Sequence, residues 1–217
     1  MTFPYFGSKR STAKLYPRPK YSIVIEPFAG AAAYTMHYRP PIALLIDADP
    51  RVIGLWDRVA RISDDTPTPT PPEIGSRTSD LLYMCMTYSE HASTSKYMSV
   101  SKRMVRDWSS VHRRLREAAP YIRSSCAYKK GTYRSAPDIE ATWFIDPPYQ
   151  HANRRGYAKG ASQIDFSDLA AWVMSRRGQV IVCEQSGADW LPFKHLVDVS
   201  THRGAKSIEV IYTRETQ

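Results

Sequence analysis

The sequence predicts an α/β fold with a parallel sheet, because apolar strands and helices alternate along it. Residues 21–26 and 42–47 are short apolar runs that are typical of buried strands, and each run ends in a carboxylate. Residues 50–62 follow with apolar side chains at helical spacing. A succession of strand, helix and strand favours parallel pairing, since parallel neighbours need a crossover connection between them.

The same alternation resumes in the last third of the chain. Residues 141–146 and 178–184 have the pattern of strands, and residues 165–175 between them have that of a helix. Two further β-like stretches lie around residues 196–199 and 207–213. We expect these two stretches to pair as a closing hairpin.

Between these two parts the pattern is interrupted. Residues 64–75 contain four prolines, which exclude a helix or a central strand, and we expect a mobile, extended connection there. Residues 76–138 are rich in Ser, Tyr, Met, Lys and Arg and have a weak apolar pattern. The sequence therefore predicts one domain, formed by residues 1–63 and 139–217, with an insertion over residues 76–138.

Composition and charge restrict what the protein can do. The chain has 217 residues, of which 42% are hydrophobic, so it can bury a core. A formal net charge of +9 indicates an acidic partner, with nucleic acid the first candidate and an anionic membrane surface the second. There is no apolar run of roughly 20 residues and no signal-peptide core. The cysteines and histidines have no metal-ligand spacing, so we expect no metal, reduced thiols and a cytoplasmic location.

The first strand ends in a turn of small residues that suits a ligand. Open α/β sheets bind ligands at the carboxyl ends of their strands. A small-residue turn lets a ligand approach the backbone, and the next helix offers free N–H groups. Many strand-to-helix turns look similar, so this signal is weak alone. The residues of the turn are Glu26, Pro27, Phe28, Ala29 and Gly30.

The second strand ends in Asp47, for which two roles stay open. A carboxylate at this point can accept hydrogen bonds from the hydroxyls of a ribose, as in dinucleotide-binding folds. It can also be a helix cap or a turn residue. Asp49 is an equally good cap for the helix that begins at Pro50, which leaves Asp47 freer to bind a ligand.

The third strand end is the most specific and consists of Asp146, Pro147, Pro148 and Tyr149. Two prolines remove two N–H donors and fix an extended turn, so a carboxylate and a proline carbonyl face one pocket as acceptors. Such a pair suits a planar amine that donates two hydrogens. Tyr149 adds a flat face on which a base can stack, worth ~1–3 kcal/mol. The alternative is a Pro-Pro turn with a packed tyrosine.

Taken in order, these motifs resemble those of the Dam-type DNA adenine-N6 methyltransferases, especially the compact enzymes of bacteriophages and prophages. Residues 3–9 resemble the family's N-terminal cofactor motif, and residues 26–30 its methionine-binding loop. Asp47 stands where the family has its ribose-binding acid. Residues 146–149 match its catalytic motif, and residues 180–193 are similar to a later strand and loop of the phage enzymes. The resemblance covers most of the chain except the middle.

Two positions depart from the family's pattern. The family often has a further glycine in each of the first two motifs, where this chain has Ser8 and Ala32. Both residues are small, so we expect a slightly altered cofactor affinity and no loss of binding. A left-handed backbone at an alanine costs about 1 kcal/mol. We therefore expect the loop at Ala32 to bend differently.

The resemblance implies a Rossmann-like S-adenosylmethionine-dependent methyltransferase fold with a basic, mostly helical target-recognition insertion. It implies that a flipped-out adenine receives the methyl group directly on N6. The expected catalytic residues are Asp146, Pro147, Pro148 and Tyr149. The expected cofactor-binding residues are Tyr5, Gly7, Lys9, Glu26, Pro27, Phe28, Ala29, Gly30, Asp47 and Asp146.

The insertion carries many more basic than acidic residues, which predicts that it binds DNA. Phosphate neutralisation would supply most of the affinity, and arginines can read guanine edges. We expect a monomer that acts on double-stranded DNA in a bacterial cell or a phage-infected host. The expected DNA-binding residues, including a loop after the catalytic motif, are Lys96, Lys102, Arg103, Arg106, Arg113, Arg114, Lys129, Lys130, Arg134, Arg154, Arg155 and Tyr157.

Three alternatives stay open. The same fold can act on RNA adenine or on cytosine N4, although relatives acting on cytosine N4 more often carry Ser in place of Asp146. The chain can instead be a DNA-binding relative that has lost catalysis. It can also be a methyltransferase of small molecules or proteins, which the basic insertion disfavours.

Overall fold

A computed structural model describes residues 9, 11–68, 70–79, 98–151, 161–200 and 206–216. These residues form nine strands and four α-helices. The strands are β1 (Ile23–Glu26), β2 (Ile42–Asp47), β3 (Arg77–Thr78), β4 (Met98–Ser99), β5 (Cys126–Lys130), β6 (Glu140–Ile145), β7 (Arg177–Gln185), β8 (Lys194–Ser200) and β9 (Lys206–Glu215). The helices are α1 (Ala33–Tyr38), α2 (Pro50–Ala60), α3 (Lys102–Ser125) and α4 (Phe166–Met174).

Seven strands form one mixed sheet in the order β5-β2-β1-β6-β7-β9-β8, and β3 pairs separately with β4. Within the large sheet, β9 is antiparallel to both of its neighbours and the other pairs are parallel, whereas β3 and β4 are antiparallel. The predicted α/β class is confirmed, as is the antiparallel pairing of the last two strands. Counted within this sheet alone, the order begins 3-2-1-4-5, as in doubly wound dinucleotide-binding sheets.

Helices cover both faces of the sheet, which explains why its central strands are apolar without alternation. Helix α4 packs against the face that carries Trp143 and Val180. Helix α1 packs through Tyr34 on the opposite face, where Phe144 lies, and α2 and α3 cover the β2 part of that face. Strands β6 and β7 are buried over nearly their whole length.

The predicted insertion extends too far along the chain. Helix α3 leads directly into β5, which pairs in parallel with β2 as the edge strand of the large sheet. Trp108 and Leu115 of α3 lie in one core with Trp56 of α2. Residues 102–130 therefore belong to the sheet domain. Of the predicted insertion before them, residues 80–97 lie outside the described residues.

The proline-rich connection makes hydrogen bonds with other parts of the fold along its described residues. The carbonyl of Thr66 accepts a hydrogen bond from Arg116 of α3. The hydroxyl of Thr68 lies 3.4 Å from Nδ1 of His112, and the N–H of Gly75 donates to the carbonyl of Val100 at 2.9 Å. Prolines prevent regular structure here, and the polar groups between them pair with α3 instead.

No helix in the part of the chain described here is long and apolar enough to cross a bilayer.

Among the described residues, two other than glycine have a left-handed backbone, and both flank α1. Ala32 precedes the helix with φ 45° and Arg39 ends it with φ 49°. The expectation that the loop at Ala32 bends differently is wrong, because the alanine itself takes the left-handed conformation. Its methyl group is buried, so packing around it offsets the strain.

We expect Arg39→Gly to be more stable than Arg39→Ala by about 1 kcal/mol, because only glycine removes the left-handed strain. Both variants lose the guanidinium that lies over the Tyr121 ring, so their difference isolates the backbone. Thermal unfolding should show a gap of about 2–4 °C. Arg61 ends α2 with φ −83°, and there the glycine variant should be no more stable than the alanine variant. A similar glycine advantage at both positions would contradict this account.

Candidate active site at the carboxyl ends of the strands

Four acidic residues meet at one edge of the large sheet. Glu26 ends β1, Asp47 ends β2, Asp146 follows β6, and Glu184 lies next to the last residue of β7. Strands β1 and β6 are neighbours, although the chain passes from β1 to β2 on the other side. The crevice between β1 and β6 is therefore the topological switch point, where doubly wound sheets bind ligands.

Asp146 is paired with Lys9 in a nearly buried contact. The ammonium Nζ of Lys9 lies 2.8 Å from Oδ1 of Asp146, and the two side chains are 6% and 19% exposed. Burial raises the pKa of Asp146 to about 6, although Lys9 favours its charged form. The structure thus brings together two residues that the sequence assigns to one site from positions 137 residues apart.

Tyr149 is held in place at its hydroxyl group and over the face of its ring. Its hydroxyl donates a hydrogen bond to Oε2 of Glu209 on β9 at 2.6 Å. The ammonium of Lys9 lies over the ring, 4.6 Å from its centroid. Burial, followed by the nearby Asp146 and Glu209 charges, raises the pKa of Tyr149 well above its usual value, so the hydroxyl stays neutral. Glu209 was not predicted as a site residue.

Glu184 anchors the chain as it leaves the turn of residues 146–149, and it too was not predicted as a site residue. Its Oε1 accepts hydrogen bonds from the backbone N–H of Gln150 at 2.7 Å and from Nε1 of Trp190 at 3.1 Å. Its Oε2 accepts from the N–H of Gln185. Pro147 and Pro148 between Asp146 and Tyr149 are buried. The turn is therefore held from both sides.

Glu26 faces α1 and holds the first loop in place. It is 2% exposed, and its Oε1 accepts a hydrogen bond from the backbone N–H of Thr35 at 2.7 Å. Burial raises the pKa of Glu26 to about 8, against the hydrogen bonding from Thr35. Pro27 and Ala29 are buried, and Phe28 stacks on Tyr133. A contact of this loop with a cofactor stays a prediction.

Asp47 accepts two backbone hydrogen bonds. Its Oδ2 accepts from the N–H of Gly30 at 2.9 Å, and its Oδ1 accepts from the N–H of Asp49 at 2.8 Å. Asp49 caps α2, as predicted. Although Asp49 is the cap, Asp47 is not without partners, because its carboxylate joins the first loop to that cap. Each oxygen keeps a second lone pair, so binding of a ribose stays a prediction.

The basic residues fall into two groups along α3. The helix has 24 residues, about 36 Å, and its C-terminal end joins the start of β5. Strand β5 has five residues, about 17 Å, so the first turns of α3 extend towards the carboxyl edge and beyond it. Exposed cations on this side are Lys102, Arg103, Arg106, Lys129, Lys130 and Arg134.

Other basic residues of α3 stabilise the fold through hydrogen bonds to the backbone. Arg116 and Arg123 donate to backbone carbonyls of the segment that follows α2, Arg123 to those of Ala60 and Ile62. The predicted DNA-binding residues Arg113 and Arg114 lie near the middle of the helix. Six predicted site residues lie outside the described residues, namely Tyr5, Gly7, Lys96, Arg154, Arg155 and Tyr157.

Comparison with known proteins identifies no family: no protein-family model matches the chain, and no curated protein sequence matches it significantly. A functional assignment therefore depends on the sequence motifs and on the geometry of the strand ends.

We expect Glu26→Gln to change how stability depends on pH. The pKa of Glu26 is about 8 in the folded state and about 4.5 when unperturbed. The stability that neutral Glu26 contributes is thus complete below pH 4.5 and is lost as pH rises to 8, by up to about 1.4 kcal/mol per unit. In denaturant unfolding at pH 5 to 8, the wild-type protein should lose stability relative to Glu26→Gln. The exposed Glu73→Gln serves as a control and should follow the wild type, and parallel curves for all three proteins would refute the burial effect.

Proposed function

We propose that this chain transfers a methyl group from S-adenosylmethionine to the exocyclic N6 of adenine in DNA, within a Rossmann-like methyltransferase fold. The observation that carries the proposal is the position of the Asp146–Tyr149 turn at the switch point. There its carboxyl group lies at the same end of the sheet as the carboxyl groups that end β1 and β2. The sequence resemblance and the sheet order support the same assignment independently.

The residues at the ends of β1 and β2 fit the proposed cofactor. Gly30 has a left-handed backbone and no side chain, which leaves room near the loop. Asp47 is partly exposed and can accept further hydrogen bonds, as a ribose requires. The loop from Glu26 to Gly30, with Tyr5, Gly7 and Lys9, would hold the remainder of the cofactor. When bound, S-adenosylmethionine supplies an electrophilic methyl group.

The Asp146 turn would hold the target base. Its carboxylate and the carbonyl of Pro147 accept the two hydrogens of a planar amine, and Tyr149 stacks on the ring. A pKa of about 6 leaves Asp146 ionised at neutral pH, so it can accept the proton that N6 releases on methylation. Positioning and electrostatics then supply most of the rate, with Pro148 keeping the turn extended.

The proposed partner is double-stranded DNA, from which the adenine is flipped out. The cations on the first turns of α3 and at the end of β5 lie on the side of the catalytic turn, where phosphates would approach. Lys96, Arg154, Arg155 and Tyr157 belong to the same proposal. A net charge of +9 agrees with a polyanionic partner.

Methyl transfer is tested by incubating the protein with S-adenosylmethionine and unmethylated DNA, followed by mass spectrometry of the nucleosides. We expect N6-methyladenine, with a rate at least about 10²-fold lower in Asp146→Asn, because the variant loses the negative charge and the proton base. Asp138→Asn, an exposed acid before the start of β6, should match the wild type. N4-methylcytosine, or methylation of RNA alone, would replace the proposed substrate. A complete lack of methylated bases would favour a DNA-binding relative.

The DNA-binding surface is tested by the salt dependence of affinity. Lys102→Gln should weaken duplex binding and reduce the slope of log K against log salt by about 1, since one phosphate contact is lost. Arg123→Gln removes the same charge from the other end of α3. It should leave DNA affinity unchanged and lower the melting temperature, because the Ala60 and Ile62 carbonyls lose a donor. Equal losses of affinity would contradict the assigned surface.

A further inference from the structure

Lys9 occupies the place that the proposed function assigns to the target base. Its ammonium contacts Asp146 Oδ1, which is the acceptor proposed for the base amine. The same ammonium lies over the Tyr149 ring, where the base is proposed to stack. A base cannot take either position while Lys9 stays where it is. Binding of the base therefore requires Lys9 to move.

A second carboxylate lies beside Lys9. Oε2 of Glu209 is 3.8 Å from the Lys9 ammonium, and the Glu209 side chain is 13% exposed. The same oxygen accepts the hydrogen bond from the Tyr149 hydroxyl. Glu209 pairs in the β-ladder with Gln185, next to the buried end of β7. It thus faces the site from a strand that the mechanism does not otherwise use.

We propose that Glu209 is a positioning residue that receives the Lys9 ammonium when the target amine binds to Asp146. The inference rests on the proposed function. Nζ of Lys9 already lies 3.8 Å from Oε2 of Glu209, so the flexible lysine side chain can shorten this contact as it gives up the contact with Asp146. A buried ammonium that leaves one carboxylate needs another, since an unpaired buried charge is strongly unfavourable.

The neighbouring acids are less suited to this task because backbone groups already engage them. Glu184 accepts hydrogen bonds with both of its oxygens. Glu26 accepts from Thr35 and lies against α1. Glu209 is bound by the Tyr149 hydroxyl, a neutral donor that leaves the negative charge of the carboxylate for Lys9.

Glu209 also influences the ionisation of Asp146. The negative charge of Glu209 raises the pKa of Asp146, so its removal lowers that pKa, and Lys9 then pairs with Asp146 alone. Activity that requires ionised Asp146 would accordingly persist to lower pH. Among the described residues, the titratable groups that interact electrostatically with Asp146 are Lys9, Glu209, Glu184, Tyr149, Cys183, Tyr16 and Glu26.

The test compares Glu209→Gln with Glu215→Gln, a change to an exposed acid on the same strand that pairs with Lys20. Glutamine keeps the acceptor for Tyr149 and loses the charge. For Glu209→Gln we expect kcat/KM for DNA to fall about tenfold or more, and the acid limb of its pH profile to move to lower pH. Glu215→Gln should match the wild type. Thermal unfolding verifies that each variant is folded.

A double-mutant cycle with Lys9→Gln separates this role from a structural one. If Glu209 acts by receiving Lys9, then Glu209→Gln should change kcat/KM less than twofold when Lys9→Gln is already present. The proposal would be overturned if the two single-variant losses in kcat/KM multiply in the double variant. It would also be overturned if the acid limb of the Glu209→Gln pH profile does not move. Tyr149→Phe, which removes the hydroxyl from Glu209, should leave the acid limb in place. If the wild-type protein transfers no methyl group, the proposed function itself is refuted, and this inference with it.

Discussion

The structure depends on how four carboxylates are kept at one edge of a sheet that is covered on both faces. Carboxyl groups in such a position need hydrogen-bond partners, because an unpaired buried polar or charged group is costly. Glu26 and Glu184 accept from backbone N–H groups, and Asp47 joins Gly30 to Asp49. These hydrogen bonds determine the paths of the loops that leave β1, β2 and β6. The requirement to satisfy the acids thus shapes the crevice itself.

Asp146 differs from the other three acids in the kind of donor it has. Glu26, Asp47 and Glu184 bind backbone groups, which cannot leave without unfolding a loop. Asp146 binds the ammonium of Lys9, at the end of a flexible side chain. Within the proposed function, Asp146 is therefore the acid whose partner can be exchanged for a substrate, and the remaining acids provide a rigid surround for that exchange.

The sequence could predict the elements that carry strong apolar patterns, and it could not predict partners brought together by the fold. The predicted strands up to Glu26, Asp47 and Asp146 are present because continuous apolar runs indicate burial on both faces. Helix α3 was assigned to an insertion because its many charged residues conceal the apolar stripe that packs on α2. Glu209 was missed for another reason. An acid between apolar neighbours in a strand resembles a solvent-facing residue, and its partner Tyr149 lies 60 positions away.

Within the proposed function, the exchange of Lys9 for a base amine also explains how the site would distinguish a base with an amine from one with a carbonyl. The Asp146 carboxylate loses an ammonium donor when Lys9 leaves, and only an incoming group with N–H donors replaces it. A base with a carbonyl in place of the amine would leave the carboxylate buried and unpaired, which costs ~3–5 kcal/mol. Such a base would also place two acceptors against each other. A site that must give up a cation therefore selects an amine by its hydrogens, and it does so before the methyl group is transferred.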